Sequence, residues 1–293
     1  MEEVAQLGKS YAVAFSWNVD RVVAVGGATR VVSIDIGDER VRWSRSFRNG
    51  AHLTRSPTGI RIVALNTSGG GIILDGETFD LLAQTSGAGI GEGPAAVFGP
   101  DDTVYVQASW AGDLLLRDSA TGDVLYRERR REDVIHALSA NPAGTLLAEA
   151  VSRDVGAMNV VVARAWPFDA SEPNAILCTR PNEPIDAVAV RDDESAAVLV
   201  GSYLRLYSLC DGEILAERPW KFPGTDRVLS WAPRRDELVT VERQNDEQVV
   251  IVLDSNLSVI AKEVVPYACA ASYSPDGALL TVGSWESGRV FRR

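Results

Sequence analysis

Two turn markers recurring in register predict an all-β chain folded as a single seven-bladed β-propeller with blades of four antiparallel strands. The first marker is a proline-punctuated turn flanked by apolar, strand-like residues. The second is an apolar strand that runs into an Asp-containing turn. A third observation concerns the chain ends: the last unit lacks a fourth strand, and the N-terminus carries a strand-like segment with no partner of its own.

The proline turns are Ser56-Pro57-Thr58-Gly59, Gly99-Pro100-Asp101-Asp102, Asn141-Pro142-Ala143-Gly144, Ala232-Pro233-Arg234-Arg235 and Ser274-Pro275-Asp276-Gly277. Proline presets φ at the first central position, Asp or Asn caps the turn, and Gly tolerates a left-handed exit. Asn18-Val19-Asp20 and Asp192-Asp193-Glu194 are proline-free copies, which makes seven turns spaced roughly 38 to 50 residues apart, the period of a propeller blade. About 16 to 27 residues beyond the middle of each turn comes the second marker, at Asp35, Asp75, Asp118, Asp169, Asp211 and Asp254. A short Asp side chain can accept hydrogen bonds from the backbone of the hairpin between third and fourth strands.

This phase sets the blades at approximately 10–47, 50–87, 93–130, 133–180, 184–221, 226–265 and 267–293 plus 2–8, within one domain spanning 1–293. Six or eight blades are the alternatives. The last unit has strands near 268–273, 278–283 and 289–293 only, so residues 2–8 are expected to supply its outer strand and close the ring, because a raw sheet edge invites aggregation. No convincing helix is found.

The residues of the repeat, above all Ser272-Tyr273-Ser274-Pro275-Asp276-Gly277, resemble the WD-repeat family of β-propellers. Where that family ends its third strand in Trp-Asp, this chain mostly has Ile-Asp, Leu-Asp, Arg-Asp or Cys-Asp, and the family's Gly-His pair is absent. The family's His–Ser/Thr–Asp–Trp hydrogen-bond network is therefore not expected here. The resemblance implies a scaffold that presents a broad face to protein partners.

Composition narrows the function classes. Apolar residues at 46% and charged residues at 24% are those of an ordinary globular protein. No run of about 18 apolar residues suggests a membrane-spanning helix. The opening residues carry acids where a signal peptide would carry positive charge, which predicts a cytoplasmic protein. A net charge of −11 argues against nucleic acid and anionic membrane and permits a basic partner. Cys178, Cys210 and Cys269 are far apart, which excludes a cysteine-rich zinc site and leaves buried free thiols as the expectation. No cofactor is expected, and the chain is expected to be a monomer.

The strongest candidate site is aromatic. Trp110, Tyr203 and Trp285 occupy the same place in their repeats, the turn between second and third strands. Those turns share one propeller face with the links between blades. Glu286, Asp154 in the insert Ser152–Asn159 and Asp246 in a polar turn belong to the same face. Two readings stand open: a partner-binding platform, or rings that each fold over their own blade. Trp17, Trp43, Trp166, Trp220 and Trp231 are read as packing residues.

Other constellations carry less. His52 and His136 lie on first strands of different blades, and the polar first-strand residues Thr54, Ser139, Asp186, Ser230 and Ser272 include one carboxylate, a poor metal set. The Gly-rich stretch 87–93 lacks the Lys-Ser/Thr of a phosphate loop. The charge run 127–133 reads as a solvated rim. No Gly-x-Ser-x-Gly is present. The function expected is a non-catalytic protein-interaction module, one form of which neutralises a basic toxin or regulatory partner. The alternatives are a metal-dependent hydrolase or lactonase working in the central channel, and a small-molecule or glycan sensor that stacks on the aromatic turns.

Overall fold

The computed structural model describes residues 1–16, 20–26, 29–87, 95–153, 158–166, 175–178, 183–222 and 228–293. Among them all regular structure is β-strand, arranged as seven antiparallel sheets in a ring. Blade one comprises Ala12–Phe15, Arg21–Gly26, Arg30–Asp35 and Val41–Ser46. Blade two comprises Gly50–Arg55, Arg61–Asn66, Gly71–Asp75 and Leu81–Thr85. Blade three comprises Ala95–Phe98, Val104–Ala108, Asp113–Asp118 and Val124–Arg129, and blade four Val134–Ala140, Leu146–Arg153, Met158–Ala165 and Ala175–Cys178. Blade five comprises Ile185–Val190, Ser195–Val200, Tyr203–Ser208 and Ile214–Pro219, and blade six Leu229–Trp231, Leu238–Gln244, Glu247–Leu253 and Val259–Val264.

Blade seven closes the ring. Its first strand is Ala268–Tyr273, and Leu279–Arg292 follows as a continuous ribbon. That ribbon doubles back near Trp285–Gly288: the Arg293 N–H donates to the Ala278 carbonyl at 2.8 Å. The fourth strand is Glu2–Ser10, antiparallel to the ribbon's second limb from Glu2 opposite Arg292 to Gly8 opposite Gly288. Ala5 and Leu7 are buried there, and Glu2 and Glu3 pair with Arg292 (2.9 Å) and Arg289 (3.1 Å). The N-terminal segment is thus the missing strand of the last blade, slightly longer than the expected 2–8.

The first strands line the central channel, each touching its two neighbours round the ring. The second and third strands are buried on both faces, which is why Val22–Val25, Ile62–Leu65 and Ala196–Val200 are unbroken apolar runs. Seven apolar clusters form the core, one between each pair of adjacent blades. Fourth strands alternate, as a sheet edge with one wet side must.

The two turn markers act as their chemistry requires. Ser56, Asn141 and Ser274 each accept, through a side-chain oxygen, the N–H five residues on, and Gly59, Gly144 and Gly277 leave those turns at φ of 82°, 71° and 71°. Asp75 Oδ1 accepts the N–H groups of Glu77 and Thr78 (both 2.9 Å), and Asp118 Oδ1 those of Ala120 and Thr121 (both 2.8 Å). Asp169 lies outside the described residues.

Two expectations are corrected. Cys210 is exposed, because it falls on the hairpin turn between third and fourth strands; Cys269 is buried. The charge run 127–133 is only partly a solvated rim. Glu128, Arg130 and Asp133 turn inward to an ion cluster between blades three and four. Its centre is the fully buried carboxylate of Glu149, held by Arg130 and by Arg164 at 3.2 Å. A strand residue facing the neighbouring blade can carry charge only where the opposite sign comes to meet it.

Candidate functional site

The face made by the second-to-third-strand turns and the inter-blade links carries all five exposed Trp, Tyr and Phe side chains among the described residues: Trp110 (50% exposed), Phe222 (49%), Tyr267 (47%), Trp285 (47%) and Tyr203 (37%). The turns that hold Trp285 and Trp110 are hydrogen-bonded within themselves. Ser284 Oγ accepts the N–H groups of Glu286 (3.0 Å) and Ser287 (3.2 Å) and donates to the Pro266 carbonyl (2.6 Å). Ser109, its counterpart before Trp110, accepts the Ala111 N–H at 3.2 Å. Gly112 then adopts φ +72°, and a Cβ there would lie 1.9 Å from the Arg130 carbonyl oxygen, so only glycine fits this turn.

The aromatics fall into groups. The Trp285 ring meets Tyr11 edge-on at 6.2 Å, and the Trp285 backbone N–H donates to the Tyr267 carbonyl at 3.2 Å, so Tyr11, Tyr267 and Trp285 gather where blades seven and one meet. Tyr203 lies under the Arg205 guanidinium at 5.2 Å, and Arg205 is held by Glu217 (2.6 Å) and Glu183 (2.8 Å). Phe222 tilts against the buried Trp220 at 6.1 Å, whose indole N–H donates to the Val241 carbonyl. Trp110 stands apart on blade three. Sequence comparison located Trp110, Tyr203 and Trp285 by their shared place in the repeat; it missed Tyr267 and Phe222, which lie in links of irregular length. An aromatic at the end of each fourth strand would have been the signal.

Glu286 is exposed beside Trp285. Asp246 is exposed and pairs with Arg243 at 2.9 Å. Asn245 and Asp246 take φ of 49° and 66°, the pair of left-handed residues that a tight hairpin turn needs, so Asp246 also has a local structural reason to be there. Asp154 lies outside the described residues, as does 88–94 of the glycine-rich link.

The channel residues are distributed otherwise. His52 Nε2 lies 2.9 Å from the Ala96 carbonyl on the next blade, and burial pushes its pKa below the ordinary value, so the neutral ring donates an inter-blade hydrogen bond. His136 Nε2 lies 2.8 Å from Ser152 Oγ, which donates to Asn159 Oδ1 at 2.6 Å; Asn159 Nδ2 donates in turn to the Glu183 carbonyl. With the serine hydroxyl donating to Asn159, the His136 ring is placed to donate to Ser152. Among the described residues no three of His, Cys, Asp and Glu come together as a metal site.

At the opposite mouth, Thr54, Ser139, Ser230 and Ser272 converge on one cavity of about 280 Å³, together with Arg55 and Trp231. Asp186 is not among its lining residues. Trp220 and Trp231 are buried, in keeping with packing roles, and Trp43 stacks on Phe79 at 5.6 Å; Trp17 lies outside the described residues.

Compared with models of known protein families the chain matches none, and compared with curated proteins it gives no match either.

Proposed function

We propose that this propeller is a non-catalytic protein-interaction module that binds its partner on the aromatic face. The observation that carries the reading is the segregation of exposed rings: Trp110, Tyr203, Phe222, Tyr267 and Trp285 share one face, while the exposed large apolar side chains elsewhere among the described residues, such as Leu82, Leu125 and Leu215 on fourth strands, are aliphatic. Trp and Tyr dominate interface hot spots, because a large rigid ring buries much area at little entropic cost. The internal hydrogen bonds of the Trp110 and Trp285 turns add to this by limiting what must be ordered on binding. The likeness to WD-repeat propellers, carried by Ser274–Gly277, points the same way. A net charge of −11 with Asp246 and Glu286 exposed on this face favours a basic partner.

The test is affinity capture from the native cell with the wild type, a Trp110→Ala/Trp285→Ala double variant and a Leu125→Ser control on a fourth strand. The expected result is a specific protein held by wild type and control and lost by the double variant. An identical set of captured proteins on all three would overturn the assignment of this face.

A further inference from the structure

The cavity at the other end of the channel is lined by an arginine that forms no direct ion pair among the described residues. Arg55, the last residue of the first strand of blade two, lines it. Its Nη1 is sealed from solvent with no hydrogen-bond acceptor, and among the described residues no carboxylate lies within ion-pair distance of the guanidinium. The carboxylate whose field reaches it, Asp102, is engaged elsewhere: it accepts from the Thr58 N–H at 3.1 Å and from Thr58 Oγ1 at 2.7 Å. A guanidinium nitrogen shut off from water without an acceptor is costly unless something negative meets the group. In a chain of net charge −11, with 40 acidic residues, a carboxylate could readily have been placed there; none is.

The rest of the wall defines the anion. Among the described residues Arg55 is the only charged one lining the cavity, so one negative charge balances it and two would not. The side chains of Thr54, Ser139, Ser230 and Ser272 bring hydroxyls from four different blades, that of Ser139 already accepting the Val190 N–H at 3.0 Å. Phe98, Leu138 and Trp231 supply apolar surface beside them. A volume of about 280 Å³ falls just below the roughly 300–1,000 Å³ usual for ligand pockets, which suits a small ligand.

We propose that this channel mouth binds a small monocarboxylate, its carboxylate on the Arg55 guanidinium and its body among the serine hydroxyls and the Phe98, Leu138 and Trp231 side chains. The geometry suits the fork of an arginine, which pairs with a planar carboxylate through two parallel hydrogen bonds. The site lies on the face opposite the aromatic turns and stands independently of the protein-binding reading.

The experiment is titration of the full chain with acetate, benzoate, the neutral isostere benzamide and inorganic phosphate at constant ionic strength and pH 7, read by calorimetry and by thermal shift. Benzoate or acetate is expected to bind and raise the melting temperature in a dose-dependent way, while benzamide does neither. Arg55→Gln is expected to raise the Kd at least tenfold, and Arg55→Lys to retain part of the binding. Without ligand, Arg55→Gln is expected to melt no lower than wild type, since no bond to the protein is lost. Absence of any carboxylate response, an equal response in Arg55→Gln, or tighter binding of phosphate would each overturn the proposal. Failure of Arg55→Gln to fold would do so too, by showing the arginine to be structural.

Discussion

Deleting residues 1–10 should open the ring. The segment contributes the whole outer strand of blade seven, Glu2–Ser10, and buries Ala5, Leu7 and Ser10. Leu7 and Ala5 pack with Val13, Phe15 and Val290 across the junction of blades seven and one. Loss of a buried leucine side chain alone costs roughly 2–5 kcal/mol. Each backbone hydrogen bond of the lost ladder adds about 0.5–1.5 kcal/mol. The exposed ion pairs of Glu2 and Glu3 add little. Against a total stability of about 5–15 kcal/mol, this is a large fraction. At about 2–4 °C per kcal/mol for a domain of similar size, the melting temperature should fall by roughly 10 °C or more. The assay is a circular-dichroism melt with size-exclusion chromatography at matched concentration, because the bared edge should also promote association. A synthetic peptide of residues 1–10 added in excess should restore the melt in proportion to its concentration. An unchanged melt in a monomeric deletion variant would refute the closure, as would a peptide without effect on a destabilised one.

Two further predictions concern charge. Glu149→Ala removes the fully buried one of the two carboxylates that Arg130 and Arg164 share between blades three and four, leaving Glu128, and should lower unfolding stability by about 3 kcal/mol in urea titration; a change under about 1 kcal/mol would show the cluster to be hydrated. The carboxyls of Asp75 and Asp118 are held below their ordinary value, first by the backbone N–H groups of Thr78 and Thr121. A depressed folded-state pKa contributes stability that is present above the unfolded value, about 3.9, and is lost as pH falls through the folded one. The melting temperature of wild type should therefore drop between roughly pH 5 and pH 3, and less steeply in Asp75→Asn/Asp118→Asn, where the acceptor oxygen is kept and the titration removed. Equal slopes in the two proteins would contradict the role given to these turns.

What sequence could reveal follows from where the physics is local. The proline and Asp turns are set by a few adjacent residues, so Ser274–Gly277 and Asp118–Thr121 announce their geometry directly and give the blade count and phase. The closing strand was legible by subtraction, since six units had an outer strand and the seventh did not. Pairings between blades were not legible. Glu149 with Arg130 and Arg164, Thr58 with Asp102, and His52 with Ala96 join residues many positions apart, and nothing local marks them. For the same reason the charge run at 127–133 looked solvated, although three of its members turn inward. Of the candidate face, the repeat aligned Trp110, Tyr203 and Trp285, but Tyr267 and Phe222 sit in links that follow no period. Arg55 was passed over because its significance is a missing partner, which only three dimensions display.

The central claim is that the exposed rings of one face bind a protein. The direct measurement is the Kd of the captured partner for wild type, Trp110→Ala, Trp285→Ala and the double variant, each first shown to melt like wild type. Hot-spot aromatics cost about 1.4 kcal/mol or more on truncation, which is a tenfold loss of affinity. At least one single variant is expected to weaken binding about tenfold and the double variant to weaken it further. Affinities within twofold of wild type across all three variants would contradict it.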